Sequence, residues 1–410
     1  MTLAALAQRT SDATFNGWTT VTGRTLGAYQ AAIVRIGFAL TFGGFLLREW
    51  PHRRVLYGDL SPWSQDLARQ MLGSNHAFTV LIWSDNRWWF EFVYAAAIVV
   101  SGLLLVGWRT RTMSLLFMVL VLSVQNRSIL VGDGGDNVVH LMAIYLAFTR
   151  CGQVWSLDAR AARRGTREGW DPVGVALWLG LGAVLAFCEL SGFAKLGMLD
   201  LGFYDWGTVF WLFWLFAGVK AWMARRRPGG EGEQLLDALG NLLHNAAMLV
   251  IAVEVCFIYA TAGWYKIQGS LWQGGTALYF PLHLAYFDPW PGLASLLGGN
   301  STAVFLITYG TVMVQVSFPF LVFNRRIKNV LLVLMITEHA AIAVVLGLPF
   351  FSLAMIAADA VFLPTGFLVW AGQGVARGVA QHMPPPVLRQ SIKRPPRATE
   401  RDPEAVSPVG

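Results

Sequence analysis

Apolar runs of close to 20 residues recur down this chain, the length an α-helix needs to cross roughly 30 Å of hydrocarbon. They read at about 29–47, 90–108, 113–131, 138–155, 172–194, 207–223, 241–266, 301–323, 327–346 and 348–371. In lipid every backbone polar group must be satisfied within the segment, so such runs commit the chain to helices. Composition agrees: 55% of the 410 residues are hydrophobic and 13% charged, about half the usual globular share. The fold class expected is all-α, a polytopic transmembrane helical bundle of about ten spans. A net charge of +7 then reads as a topology signal and not as nucleic-acid affinity, because the basic residues fall between spans.

With the N-terminus inside, the inner segments hold Arg9 and Arg24; Arg109 and Arg111; Arg150, Arg160, Arg163, Arg164 and Arg167; Arg225, Arg226 and Arg227; Arg325, Arg326 and Lys328. The outer loops at 132–137 and Gly347 hold none, and two others hold one lysine each, Lys195 and Lys266. This positive-inside pattern puts both termini in the cytoplasm and the chain in the cell (plasma) membrane as a multi-pass protein. The exception is 48–89, expected outside yet bearing Arg48, Arg53, Arg54, Arg69 and Arg87 with five tryptophans. It suits either an amphipathic segment in the headgroup layer or a cap over a cavity.

No cleavable signal is expected, since residues 1–28 are mixed polar and the first apolar run lacks a small-residue cleavage pattern. Residues 1–28 thus form a cytoplasmic N-terminal segment and 29–371 a transmembrane domain. Proline and mixed charge without apolar periodicity make 372–410 a disordered cytoplasmic tail. Cys151, Cys188 and Cys256 are scattered and read as buried free thiols, not as a disulfide framework.

Function is sought among polar residues inside apolar spans. Lys266 ends the span 241–266, and IQGSLWQGGTALYFPLHLAYFDPWPGL follows. That stretch is too broken by Gly and Pro to span, and such backbone is tolerated at membrane depth only when enclosed by protein or lining a cavity. Lys266 is then either a snorkelling interfacial lysine or a desolvated general base. The aromatic stretch, with His283, would lie over it. Glu254 and His244 share its span but not its level, Glu254 being roughly 18 Å away along the helix. A buried carboxylate needs a partner, and Arg35 or Arg127 on another helix is the expected one. Glu338 and His339 are adjacent in a late span, pointing about 100° apart, so they are not expected to face one site together. His339 reads as an interior hydrogen-bonding residue or a proton carrier. Asp359, Asp158 and Gln315 complete the polar inventory. No spacing matches a metal site; in GDGGDN, Asp133 and Asp136 read as a turn capping the next helix.

Tyr259-x-x-Ala262-Gly263-x-x-Lys266, followed by Trp272, resembles the Y-x-x-A-G-x-x-K segment of the HTTM family, the membrane domain shared with vitamin K-dependent gamma-carboxylase. Trp155-Ser156-Leu157-Asp158 resembles that family's W-S-x-D, and DGGDNVVHLMAIYLAF and LPFFSLAMIAADAVFLP resemble its actinobacterial branch. His339 falls where the carboxylase also has a membrane histidine. The resemblance covers roughly 25–370 and departs by an extra two-span insertion at 172–223. It implies a quinol-dependent oxidase or epoxidase using a menaquinol-type cofactor, with Lys266 as base. His339 or Glu338 would move protons, and Trp264, Tyr265 and Trp272 would wall the ring. The carboxylase's large lumenal domain for protein substrates has no counterpart, so glutamate carboxylation is not expected. The alternative is a non-enzymatic membrane partner or maturation factor for a secreted or membrane protein.

Overall fold

The computed structural model describes residues 3–75, 77–128, 130–165, 171–191, 206–226 and 228–382, and all regular structure among them is helical. In chain order the helices are α1 (Leu3–Gly23), α2 (Ala28–Arg48), α3 (Arg53–Leu56), α4 (Gln65–Asn75), α5 (Arg87–Val106), α6 (Thr110–Arg127), α7 (Gly134–Phe148), α8 (Leu157–Arg163) and α9 (Pro172–Ser191). They continue with α10 (Trp206–Arg226), α11 (Glu231–Gln268), α12 (Ser270–Gln273), α13 (Pro291–Gly298), α14 (Ser301–Leu321), α15 (Arg325–Val345), α16 (Pro349–Asp359) and α17 (Thr365–His382).

Seven are long and apolar enough to cross a membrane: α2, α5, α9, α10, α11, α14 and α15. The other three expected spans fall on α6, which ends in the polar run Gln125-Asn126-Arg127, on α7 with 15 residues, and on α16 with 11. At 38 residues α11 is about 57 Å long, so its acidic first turns extend past any hydrocarbon layer.

Residues 1–368 form one compact unit and 369–410 another; the described part of the second, to residue 382, continues α17. Disorder was expected from 372, yet α17 is helical to His382, and 383–410 lie outside the described residues. Within the first unit, α5, α2, α16, α15, α14, α11, α7 and α6 contact one another in that cyclic order, with α7 also touching α2 and α16. Apolar burial drives little helix association in lipid, so close approach through small residues carries it. A Cβ on Gly37 would sit 2.4 Å from that of Ala357, which locks α2 against α16. Gly37→Leu is therefore expected to cost about 1–3 kcal/mol through overpacking. A thermal melt in detergent checks this, and an unchanged melting temperature would contradict it.

Arg35 of α2 is fully buried, and among the described residues no carboxylate forms an ion pair with it, Asp158 being an electrostatic neighbour; it ties separate chain segments together through backbone carbonyls. Its guanidinium donates to Leu104 O, to Leu105 O at 2.8 Å, to Cys151 O at 3.2 Å and to Trp155 O at 2.7 Å. The first two are carbonyls of the last turn of α5; Leu104 O also accepts from Gly107 N at 3.0 Å. The W-S-x-D motif belongs to the same corner. Ser156 caps α8 through Ala159 N at 2.8 Å. Asp158 accepts from Arg109 N at 2.8 Å and Thr110 N at 2.7 Å, which caps α6.

The segment 49–86 folds back onto the end of α6. Thr79 Oγ1 donates to Ser123 O at 2.7 Å, Asn126 Nδ2 to Phe78 O at 2.8 Å, and Arg127 to Trp63 O at 3.0 Å. Each of the five arginines of 48–89 has a carboxylate partner: Arg48–Glu49, Arg53–Glu91, Arg54–Asp59, Arg69–Asp66 and Asp85, and Arg87–Glu91. At the other end of the bundle, Asn241 and Asn245 of α11 bond the carbonyls of Thr22, Val21 and Arg24, which fastens the end of α1. The α9–α10 pair is joined by reciprocal bonds, each of Trp178 and Trp214 donating its indole N–H to the other's carbonyl, with rings stacked at 4.2 Å.

Candidate functional site

Tyr259, Gly263 and Lys266 lie at i, i+4 and i+7, so they form one stripe along α11. A Cβ on Gly263 would stand 2.6 Å from Val316 Cγ2. The glycine thus lets α14 approach closely and brings Gln315 level with the lysine. Lys266 Nζ donates to Gln315 Oε1 at 2.8 Å, and Gln315 Nε2 donates to Glu338 Oε1 at 2.7 Å. On its other side the ammonium lies 5.1 Å from the centre of the Trp272 ring, a cation–π distance. An amine and a carboxyl group on different helices are thus joined by one buried amide, with an indole over the amine.

One residue further on, α15 starts a second chain. His339 Nε2 lies 3.0 Å from Tyr259 Oη, and Tyr259 O–H donates to Asp359 Oδ2 at 3.0 Å. These three are among the most enclosed polar groups of the protein, exposed by 2%, 1% and 0% respectively. Phe318, Phe351 and Phe362 surround them: Tyr259 packs on Phe318 at 5.7 Å, His339 on Phe351 at 5.8 Å, and Phe318 on Phe362 at 5.1 Å. Glu338 and His339 do point apart, Glu338 to α14 and His339 to α11. Not legible in the sequence is that each heads its own polar chain and that both chains include a residue of the same stripe of α11, Lys266 and Tyr259.

Other candidates are placed elsewhere. Trp264 and Tyr265 are 62% and 75% exposed; they sit about 200° and 100° round the helix from Lys266, so of the three expected wall residues only Trp272 touches it. His283 does not lie over the lysine. Its Nδ1 is 2.7 Å from Tyr279 O, its ring stacks on Tyr279 at 3.9 Å, and it packs against Gly298. Glu254 is not paired with Arg35 or Arg127, whose N–H groups are taken by carbonyls; the Tyr145 hydroxyl stands 3.4 Å from it. His244 is fully buried and bridges Arg150 N at 2.9 Å and Leu26 O at 2.9 Å, a tie between chain segments. Asp133 and Asp136 form a reciprocal capping box at the start of α7. Among the described residues no group of three His, Cys, Asp or Glu could hold a metal ion.

Gln315 and Tyr259 were visible in the sequence only as an inventory item and a motif letter. The seven-residue spacing of Tyr259 and Lys266 was the signal that both face one neighbour. An apolar cleft of about 330 Å³, lined by Trp290, Pro291, Gly292, Leu293 and Val344, opens where the segment after α12 meets the end of α15. No family model, curated protein or solved structure matches the chain.

Proposed function

We propose that this chain is a multi-pass protein of the cell membrane that removes a proton from a lipophilic, menaquinol-type quinol, with Lys266 as the base. The observation that carries this reading is the Lys266–Gln315–Glu338 chain. Moving one proton from the ammonium to the carboxylate leaves the site's net charge unchanged, and it frees the amine lone pair to take a proton from a hydroxyl. Forming that neutral pair relieves the cost of holding two charges in a medium of low dielectric. Gln315 holds the two groups apart, so they do not close into a direct ion pair. Trp272 offers an aromatic face for the ring, and the apolar cleft suits a prenyl-like tail. The quinolate would then reduce dioxygen. The resemblance of Y-x-x-A-G-x-x-K to the HTTM membrane domain supports the same assignment. The accompanying topology has ten crossings, with α6, α7 and α16 completing the seven long helices and both termini cytoplasmic.

The test is direct. The full-length protein, in lipid bilayers with menaquinol under oxygen, is expected to consume the quinol. Consumption no faster than in protein-free bilayers rejects the reading.

A second reading, a non-enzymatic membrane partner of a secreted or membrane protein, has its own observation. The most apolar stretches of α9 and α10 are only 11% buried inside the protein, while their indoles bind the two helices to each other. This reading expects cross-linking from α9 or α10 to capture one such protein, equally in wild type and in Lys266→Ala.

A further inference from the structure

The His339–Tyr259–Asp359 chain has more acceptors than donors, and that imbalance defines what it can do. Tyr259 has a single hydroxyl proton, which it gives to Asp359 Oδ2. The contact of 3.0 Å between Tyr259 Oη and His339 Nε2 then requires Nε2 to carry the histidine proton. His339 Nδ1 is left with a bare lone pair and Asp359 Oδ1 with an unused one, and neither has a hydrogen-bond partner although both residues are at least 98% buried. No Lys or Arg pairs with Asp359 among the described residues. Its electrostatic neighbours are Tyr259 and Glu338, while His339 has Lys266. Such orphaned groups cost stability, and Phe318, Phe351 and Phe362 enclose them.

We propose that His339, Tyr259 and Asp359 form a proton-transfer chain, entered at the open Nδ1 of His339 and ending on Asp359. A proton arriving at Nδ1 forms a new N–H bond. The Nε2–H bond breaks and its proton passes to Tyr259 Oη. The original Tyr259 O–H bond breaks and that proton passes to Asp359 Oδ2. One proton enters, one carboxylate becomes a carboxylic acid, and no electrons move. Every heavy atom keeps its partner at the same 3.0 Å separations, and both hydrogen bonds reverse direction. The chain therefore has two states. In one, Nε2–H on His339 goes with carboxylate on Asp359; in the other, Nδ1–H goes with carboxylic acid. Glu338 and His339 are consecutive residues of α15, and an onward transfer of the proton that Lys266 takes up would have to cross from one to the other, since no hydrogen bond joins them among the described residues. That last step rests on the function proposed above, and the two-state chain does not.

Solid-state NMR of the full-length protein in bilayers, with ¹⁵N-histidine and ¹³C-aspartate labels, tests the chain without any substrate. Across a pH series, His339 is expected to change tautomer at the same pH at which Asp359 changes from carboxylate to acid, and Tyr259→Phe is expected to separate the two transitions. Transitions at different pH in wild type, no transition in either group, or coincidence that survives in Tyr259→Phe each overturns the proposal. The link to Lys266 has a separate readout. Asp359→Asn is expected to slow menaquinol consumption by about tenfold or more. Wild-type turnover in Asp359→Asn removes Asp359 from the reaction while leaving the base assignment intact. Coupled NMR transitions with no quinol turnover in wild type would leave the chain standing and reject the quinol reading.

Discussion

Arg35→Ala is expected to destabilise the bundle by about 4 kcal/mol, because several buried carbonyls lose their donor at once. The reason lies in the carbonyls and not in the charge. Leu105 O, Cys151 O and Trp155 O lose a donor, while Leu104 O keeps Gly107 N, and a buried unsatisfied carbonyl costs about 1–3 kcal/mol. Some are recovered by relaxation or water, so the sum is not reached. Arg35→Lys should fall between, because a lysine has three donors on one atom and cannot span carbonyls from three segments. Reversible unfolding in mixed micelles measures both. A loss under about 1 kcal/mol for Arg35→Ala would mean that the corner between α5, α8 and the 149–156 turn is held by something else. The melt of Asp158→Ala, which removes the α6 cap and the bond from Thr110 Oγ1 and should cost about 1–2 kcal/mol, sets the scale for a capping effect in the same place.

The contrast between Arg35 and Lys266 shows how far the sequence reaches. Helix positions were legible because a membrane-length apolar run needs no partner to declare itself; α2, α5, α9, α10, α11, α14 and α15 fall on expected spans. Partners were not legible. Arg35 or Arg127 is the partner the sequence suggests for Glu254, by the argument that opposite charges buried in lipid should meet. A guanidinium has five N–H donors and can be satisfied by helix-end carbonyls instead, and such carbonyls have no sequence signature. Asp158 was marked through a motif, but its role depends on Thr110, 48 residues earlier. For Glu338 and His339 the angular argument was sound. What it lacked was the partners, Gln315 on α14 for Glu338 and Tyr259 on α11 for His339, so residues 100° apart bond different neighbours.

Lys266→Ala is expected to reduce menaquinol consumption by at least about 100-fold, the lower range for loss of a positioned general base. Its neighbours separate a chemical role from a packing one. Gln315→Leu keeps the amine but breaks both of its bonds, to Lys266 and to Glu338, so turnover should fall while quinol binding, read from KM, changes little. Glu338→Gln keeps a side chain of the same shape that can still bond Gln315 but cannot take the lysine's proton. If Lys266 works as a free amine made by passing its proton to Glu338, Glu338→Gln should be nearly as slow as Lys266→Ala. The double variant should then be no slower than the worse of the two, because residues acting as a unit are not additive. If Lys266 only anchors α11 to α14, the pattern reverses: Lys266→Met, which keeps the stem and its contact with Trp272, would retain full turnover and lose only stability. Full turnover in Lys266→Met would therefore remove the lysine from the chemistry, because a thioether can accept no proton from a quinol in this site.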